Sequence, residues 1–314
     1  MAWKPIVAGV DASPQAATAA AFAWRIAQAA NTECFFVHGS RPLFRSAAEF
    51  VPDVNVLIEQ QMEAAWMGVS ATIERAVPAV ALHRLEVRSG RGATVVTEVA
   101  REHNAGLIVL GGKHHSTLGR WMGGSTAHHV VRVTDIPTLV TGEKVGDMRR
   151  ILIAADLSDA VRPTFEAAAR MARLLGAELR ALHVVEPLPV FAEMPALWNE
   201  EAFYQDSQAQ FERCLEPLLK EVVAESVVRR GYAAEAIAAE VAAWGADLVV
   251  VGSHGKGWVD RLLLGSTTER LLDQLPASLL VVPVPAPPGE RHPGRAERLA
   301  RRAKQRAARS ASAG

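Results

Sequence analysis

Three glycines and a run of hydroxyls, Gly252-x2-Gly255-x9-Gly265-Ser266-Thr267-Thr268, are the residues of this chain best suited to hold an anion. Glycine lets the backbone take positive φ and lets a ligand approach main-chain N–H groups with no Cβ in the way. Successive N–H groups then converge on one anion. Ser266 to Thr268, followed by Glu269, Leu271 and Leu272, read as the first turns of a helix. A helix N-terminus offers unpaired N–H donors and partial positive charge, and here three hydroxyls as well. Ahead of the glycines, Leu248 to Val251 is a short continuous apolar run, the pattern of a parallel strand buried on both faces. Strand, glycine loop and helix, in that order, make a phosphate cradle.

The spacing is neither Gly-x4-Gly-Lys-Ser/Thr nor a strand-terminal Gly-x-Gly-x2-Gly, so P-loop and classical dinucleotide readings lose their warrant. It resembles the nucleotide-binding signature of the universal stress protein family, in its ATP-binding branch. The resemblance implies an α/β fold, adenine nucleotide alpha hydrolase-like, with tandem doubly wound five-stranded parallel sheets in the order 3-2-1-4-5. Strand one then lies beside strand four, and the chain leaves them in opposite directions. Ligands of open α/β sheets bind outside the carboxyl ends of the strands at such a switch point. Asp156 follows strand one and Gly252 follows strand four, so the two meet at one crevice. The family further implies that Asp156 lies by the adenosine and that backbone near Val184 contacts the base. Gly252, Gly255, Gly265, Ser266 and Thr268 hold ribose and phosphates, with Thr267 beside them. The implied ligand is ATP or another adenine nucleotide, with Mg held by its phosphates; no metal site and no catalytic residue are assigned.

The sequence repeats. Gly111, Gly124, Ser125 and Thr126 align with Gly252, Gly265, Ser266 and Thr267 at an offset of 141, as Gly90 does with Gly231. Earlier in each half the offset is 145, matching Asp11 to Asp156 and His38 to His183. The duplication predicts domains at 1–142 and 148–284, joined near Thr141 to Arg149, followed by a tail at 285–314. Each half reads as alternating strands and helices, which imply a parallel sheet covered on both faces. In the first half the strands are Ile6 to Val10, Cys34 to His38, Leu82 to Val87 and Leu107 to Leu110, with helices from Pro14 to about Ala30 and from 55 to 76. In the second they are Ile151 to Ala155, Leu179 to Val184, a weak Ser226 to Val228, Leu248 to Val251 and Leu279 to Val282. Thr138 to Thr141 and Leu279 to Val282, the last strands, are expected near the axis of an intramolecular pseudo-dimer. Family members pair single domains through that strand, and covalent linkage raises the effective concentration. Self-association of the tandem chain as a homodimer stays open.

The first half departs from the pattern. Its loop reads Gly111-Gly112-Lys113-His114-His115-Ser116, so His114 stands where Gly255 stands. A Cβ and an imidazole occupy the place where backbone meets phosphate. Asp11, Gly111, Gly124, Ser125 and Thr126 remain as a second, degraded set, and the loop reads as a solvated polar turn. His114, His115, His128 and His129 do not make a metal site, because adjacent histidines on a helix diverge and no acidic partner is placed. His38 and His183 read as structural histidines at strand ends.

Composition bounds the class. The 314 residues are 49% hydrophobic and 22% charged with formal net charge zero, an ordinary globular composition. No long apolar run or signal peptide is seen, which excludes a membrane span and points to the cytoplasm. Cys34 and Cys214, in a strand and a helix, imply a reducing compartment and no disulfide framework. From Gly289 to Gly314 there are eight Lys or Arg against Glu290 and Glu297, so the tail carries +6 and the remainder −6. Such a tail contacts nucleic acid only nonspecifically, by charge. The Pro-rich stretches Arg41 to Val54 and Glu186 to Trp198 flank the crevices, either as lids or as packing for their own domains. Three functional classes compete. They are an adenine-nucleotide-binding stress or signalling module, a slow ATP-hydrolysing or nucleotidyl-transferring enzyme, and a nucleotide-free interaction scaffold. No general base is placed near the glycine loop, since Asp260 reads as the exposed face of a short helix.

Overall fold

The structure, a computed structural model, describes residues 3–41, 54–115, 120–123, 125–142, 146–158, 161–187, 199–219, 224–253 and 264–284. The Pro-rich stretches at 42–53 and 188–198, the glycine loop with Asp260 at 254–263, and the tail lie outside the described residues. Residues up to Val284 form one compact unit.

In the first half, β1 (Ile6–Gly9) leads into α1 (Pro14–Ala29), which opens on its proline and turns an alanine-rich face to the sheet. Proline at the first helical position costs nothing, because its missing N–H would be unpaired there. Then follow β2 (Cys34–Ser40), α2 (Val54–Ile73), a short 3-10 helix (Ala79–Arg84), β3 (Leu85–Ser89), α3 (Gly92–Glu102) and β4 (Leu107–His115). The half ends with β5 (Arg120–Gly123), α4 (Ser125–Val133) and β6 (Thr138–Thr141). The second half runs β7 (Arg150–Ala154), α5 (Val161–Leu175), β8 (Glu178–Val185), α6 (Glu200–Leu219), β9 (Ala224–Arg230), α7 (Ala233–Trp244), β10 (Leu248–Gly252), α8 (Ser266–Gln274) and β11 (Ser278–Val282).

The strands form one sheet in the order β3-β2-β1-β4-β6-β11-β10-β7-β8-β9. Along this path the pairing within each half is parallel, and strand one sits between strands two and four. This is the 3-2-1-4-5 order in both halves. The halves meet where β6 and β11 pair antiparallel, Leu279 with Val140, Leu280 with Leu139 and Val281 with Thr138. Two apolar layers cover the sheet. Because side chains alternate along a strand, Ile6 and Ala8 join Phe22, Ile26, Phe165 and Phe211 on one face, while Val7 joins Val99, Val130, Val241 and Leu271 on the other. Both layers run through the junction, where Leu139 and Leu280 serve one face and Val140 and Leu279 the other. Each such side chain contributes about 1.5–3 kcal/mol when fully buried, so the seam between halves is core.

Three strand readings are corrected. Residues 82–84 belong to the 3-10 helix, and β3 begins at Leu85, where it comes into register with Phe36 of β2. The third strand of the second half is seven residues long, held along its length by β8. The polar segment after Gly111 is strand: Gly112 to His115 continue β4 and pair antiparallel with Gly123 to Arg120. Both cysteines are free thiols, and burial pushes the Cys34 thiol up to about 12.

The outer strands are β3 and β9, and both carry charge. On β3, Arg88 bridges Glu86 at 2.5 Å and Glu102 of α3 at 2.7 Å. The guanidinium holds the Glu102 carboxyl below its ordinary range. On β9, Glu225 pairs with Arg180, Arg230 pairs with Glu201, and Arg229 reaches Glu240 of α7 at 2.8 Å. Glu240 is 3% exposed and also accepts from Arg180 at 2.6 Å.

Candidate functional site

At the carboxyl ends of β7 and β10 the second half opens a cavity of about 490 Å³. Asp156, Val184, Gly252, Gly265, Ser266, Thr267 and Thr268 all line it. Gly255 lies outside the described residues. Asp156, Glu186 and Asp206 are the carboxylates of the lining, and Glu186 Oε1 accepts from the Ala233 N–H at 2.9 Å. The N-terminus of α8 also lines the cavity, placed by two hydrogen bonds. The Thr268 hydroxyl donates to the Gly252 carbonyl at 2.9 Å, and the Gly265 N–H donates to Ser253 O at 2.9 Å. Among the described residues no side chain caps this helix. Its first-turn amides, with the positive end of its dipole, are thus presented at the cavity wall.

Asp156 does double duty. Its Oδ1 accepts from the Ser158 N–H at 3.3 Å and from the Ser158 hydroxyl at 2.5 Å, fixing the turn that leads towards α5 while its carboxylate lines the cavity. Asp11 makes the same turn with Ser13. His183 Nδ1 donates to Ala155 O at 2.9 Å, and His38 Nδ1 donates to Val10 O at 2.8 Å. Each histidine ties the end of its half's second strand to the chain leaving the first strand, a structural role.

The first half has a cavity of about 280 Å³ at the equivalent place, lined by Asp11, Gly111 and Thr126. Ser125 does not line it, and Gly124 lies outside the described residues. Backbone narrows this crevice. A Cβ on Gly39 would stand 2.6 Å from Gly92 Cα, so the end of β2 lies directly against the start of α3. The repeat counterparts in the second half are Val184 and Ala233, whose side chains forbid that approach and line the larger cavity. A Cβ on Gly111 would stand 3.0 Å from Gln15 O, so this glycine admits the first turn of α1. Beyond it, His114 pairs with Trp121 in the β4–β5 ladder. Ladder residues alternately exchange N–H and C=O with the partner strand, so their N–H groups do not converge on an anion. We expect Gly39→Ala to destabilise the protein by about 1–3 kcal/mol, because the clash is with backbone. Gly68→Ala, whose Cβ would meet Ala12 Cβ at 3.8 Å, is the control and should be neutral or stabilising in urea unfolding.

One wall of the larger cavity was not anticipated. Phe203, Asp206, Ser207 and Gln210 of α6 line it, at the spacing of one helical face. Ser207 is 8% exposed, and Gln210 Nε2 donates to Asp206 Oδ2 at 2.7 Å. No α2 residue lines the smaller cavity. The signal in the sequence was the i, i+3, i+4, i+7 recurrence of an aromatic with three polar residues, which composition alone does not separate from a solvated face.

Known proteins share this organisation. The Universal stress protein family profile matches residues 2–142 and again residues 148–283. A universal stress protein of Mycolicibacterium smegmatis is 28% identical over 294 residues, 88% of this chain and 96% of its own. One from Thermus aquaticus is 32% identical over 136 residues, 43% of this chain and 98% of its own. The crystal structure of a universal stress protein from Archaeoglobus fulgidus has a TM-score of 0.61 at 18% identity, covering 89% of this chain and 96% of that one. With two copies of the family's unit in one continuous sheet, the chain belongs to the universal stress protein family.

Proposed function

We propose that the second half, taken as a domain from 148 to 284, binds an adenine nucleotide, and that the chain acts as a nucleotide-responsive module. The supporting observation is the mixed polarity of the larger cavity's lining, which holds both the amide end of α8 and the carboxylates of Asp156, Glu186 and Asp206. A nucleotide has the matching polarity, anionic at its phosphates and rich in N–H and O–H donors at its ribose and base. Its phosphates would lie between Gly252, Gly255 and the first turn of α8, where amides bind anions. Asp156 would accept from the ribose, and the base would lie towards Val184 and α6. Mg, where present, would be carried by the phosphates. The domain from 1 to 142 serves as the structural partner. No described helix is long and apolar enough to cross a membrane, and with two free thiols we place the chain in the cytoplasm. Equilibrium dialysis of the full chain against ATP, AMP and a cyclic nucleotide tests the reading. Retention of none of them would leave the cavity without its proposed ligand.

A further inference from the structure

The β6–β11 pairing carries more information than the joining of two sheets. Repeat counterparts near the end of each half stand 141 apart, so Leu139 corresponds to Leu280, and these two are partners in the ladder. A pseudo-two-fold axis therefore passes through that pair. Around it, α4 and α8 exchange two polar contacts: the ion pair of Arg132 with Glu269, and a hydrogen bond from His128 Nε2 to Asp273 Oδ1 at 3.0 Å. His128 is the counterpart of Glu269, and Arg132 is the counterpart of Asp273. Both contacts are thus the same contact, made once in each direction across the axis.

We infer that these four side chains are a charge code that admits only unlike halves as partners. If two first halves paired about the same axis, each Arg132 would face a His128, donor against donor. If two second halves paired, each Glu269 would face an Asp273, carboxylate against carboxylate. The unlike pair alone places donor on acceptor at both crossings. The remainder of the seam discriminates less. Its strands are both short and apolar, with Leu on Leu at the axis. Of the counterpart arginines, Arg170 lies over the Trp3 ring of the first half at 3.9 Å, while Arg25 donates to Gly146 O in the linker at 2.6 Å. Specificity between near-identical alternatives is set by repulsion in the wrong pairs as much as by attraction in the right one. The partner this surface fits is the unlike half, whether from the same chain or, by reciprocal exchange, from a second copy.

The test uses the full chain with a protease site within residues 143–145. After cleavage, the two fragments are unfolded in urea and refolded together, and native mass spectrometry resolves the three pairs by mass. Wild type is expected to return unlike pairs, with like pairs at least about tenfold below statistical mixing, given several attractions exchanged for repulsions. The double variant Arg132→Glu, Glu269→Arg keeps donor on acceptor at both crossings of the unlike pair. It also gives each half one group of each sign, so like pairs should rise to near statistical proportion. A double variant that still returns only unlike pairs overturns the inference, as does a wild type that mixes freely. Should that variant fail to refold, Glu269→Gln with Asp273→Asn decides in its place. Like pairs of second halves, and not of first halves, must then appear, and their absence refutes the code.

Discussion

Titration of the intact chain with ATP is expected to yield one tight site per chain, and Gly255→His is expected to weaken that site by roughly one to two decades. The single substitution reproduces what the first half has at His114. Its effect follows from the loss of one charge-assisted hydrogen bond from backbone to phosphate, about 1.5–3 kcal/mol, with steric exclusion added. The two crevices predict the asymmetry on separate grounds. In the first, the end of β2 lies against α3 and the segment beyond Gly111 is spent in a ladder with β5. In the second, Val184 and Ala233 hold the same elements apart. Asp156→Asn should therefore weaken binding, and Asp11→Asn should leave the titration unchanged. Calorimetry showing two equivalent sites would contradict this account, and so would an Asp11→Asn variant that lost half of the bound nucleotide.

Glu240→Ala is expected to cost about 3 kcal/mol in urea unfolding, the largest effect of any polar substitution considered. Glu240 is buried on α7 and takes Arg180 at 2.6 Å and Arg229 at 2.8 Å. Arg180 is itself only 16% exposed and lies over the Trp244 ring at 4.4 Å. Removing one member of a buried ion pair leaves the other charge desolvated and uncompensated, which costs more than the pair gains over an apolar replacement. Arg180→Met combined with Glu240→Met should therefore be less damaging than Glu240→Ala alone. If the single change costs under about 1 kcal/mol, Arg180 is adequately compensated by Glu225 and solvent, and the network is a surface feature.

Much of this was legible in the sequence for a physical reason. Strands buried on both faces read as continuous apolar runs, so Ile6, Ile151 and Leu248 announce β1, β7 and β10 almost to the residue. The crevice followed from the strand order that the family resemblance implies, which brings Asp156 and Gly252 together whatever the loops between them do. Failures came where pairing, and not pattern, sets the structure. Leu82 to Val87 reads as one strand, but only from Leu85 does the chain meet β2. Gly-Gly-Lys-His-His reads as loop by composition, yet it is held extended by Arg120 to Gly123, in which Trp121 and Met122 were the overlooked strand formers. The α6 wall depends on how a helix is rotated against its sheet, which its own residues do not state.

The sheet has ten strands along its main path, which ends on β3 and β9, and both of these end strands carry ion pairs. An edge strand with unpaired N–H and C=O groups is a template for any passing extended segment, and the usual outcome is fibre growth. On β3 an incoming strand would have to lie beside Glu86 and Arg88, and on β9 beside Glu225, Arg229 and Arg230, breaking bridges to α3, α6 and β8 as it docked. Fusing two copies removed the most apolar edges, β6 and β11, by turning each against the other. What β3 and β9 present to an incoming strand is charged and already engaged, which disfavours edge-to-edge pairing of the folded protein.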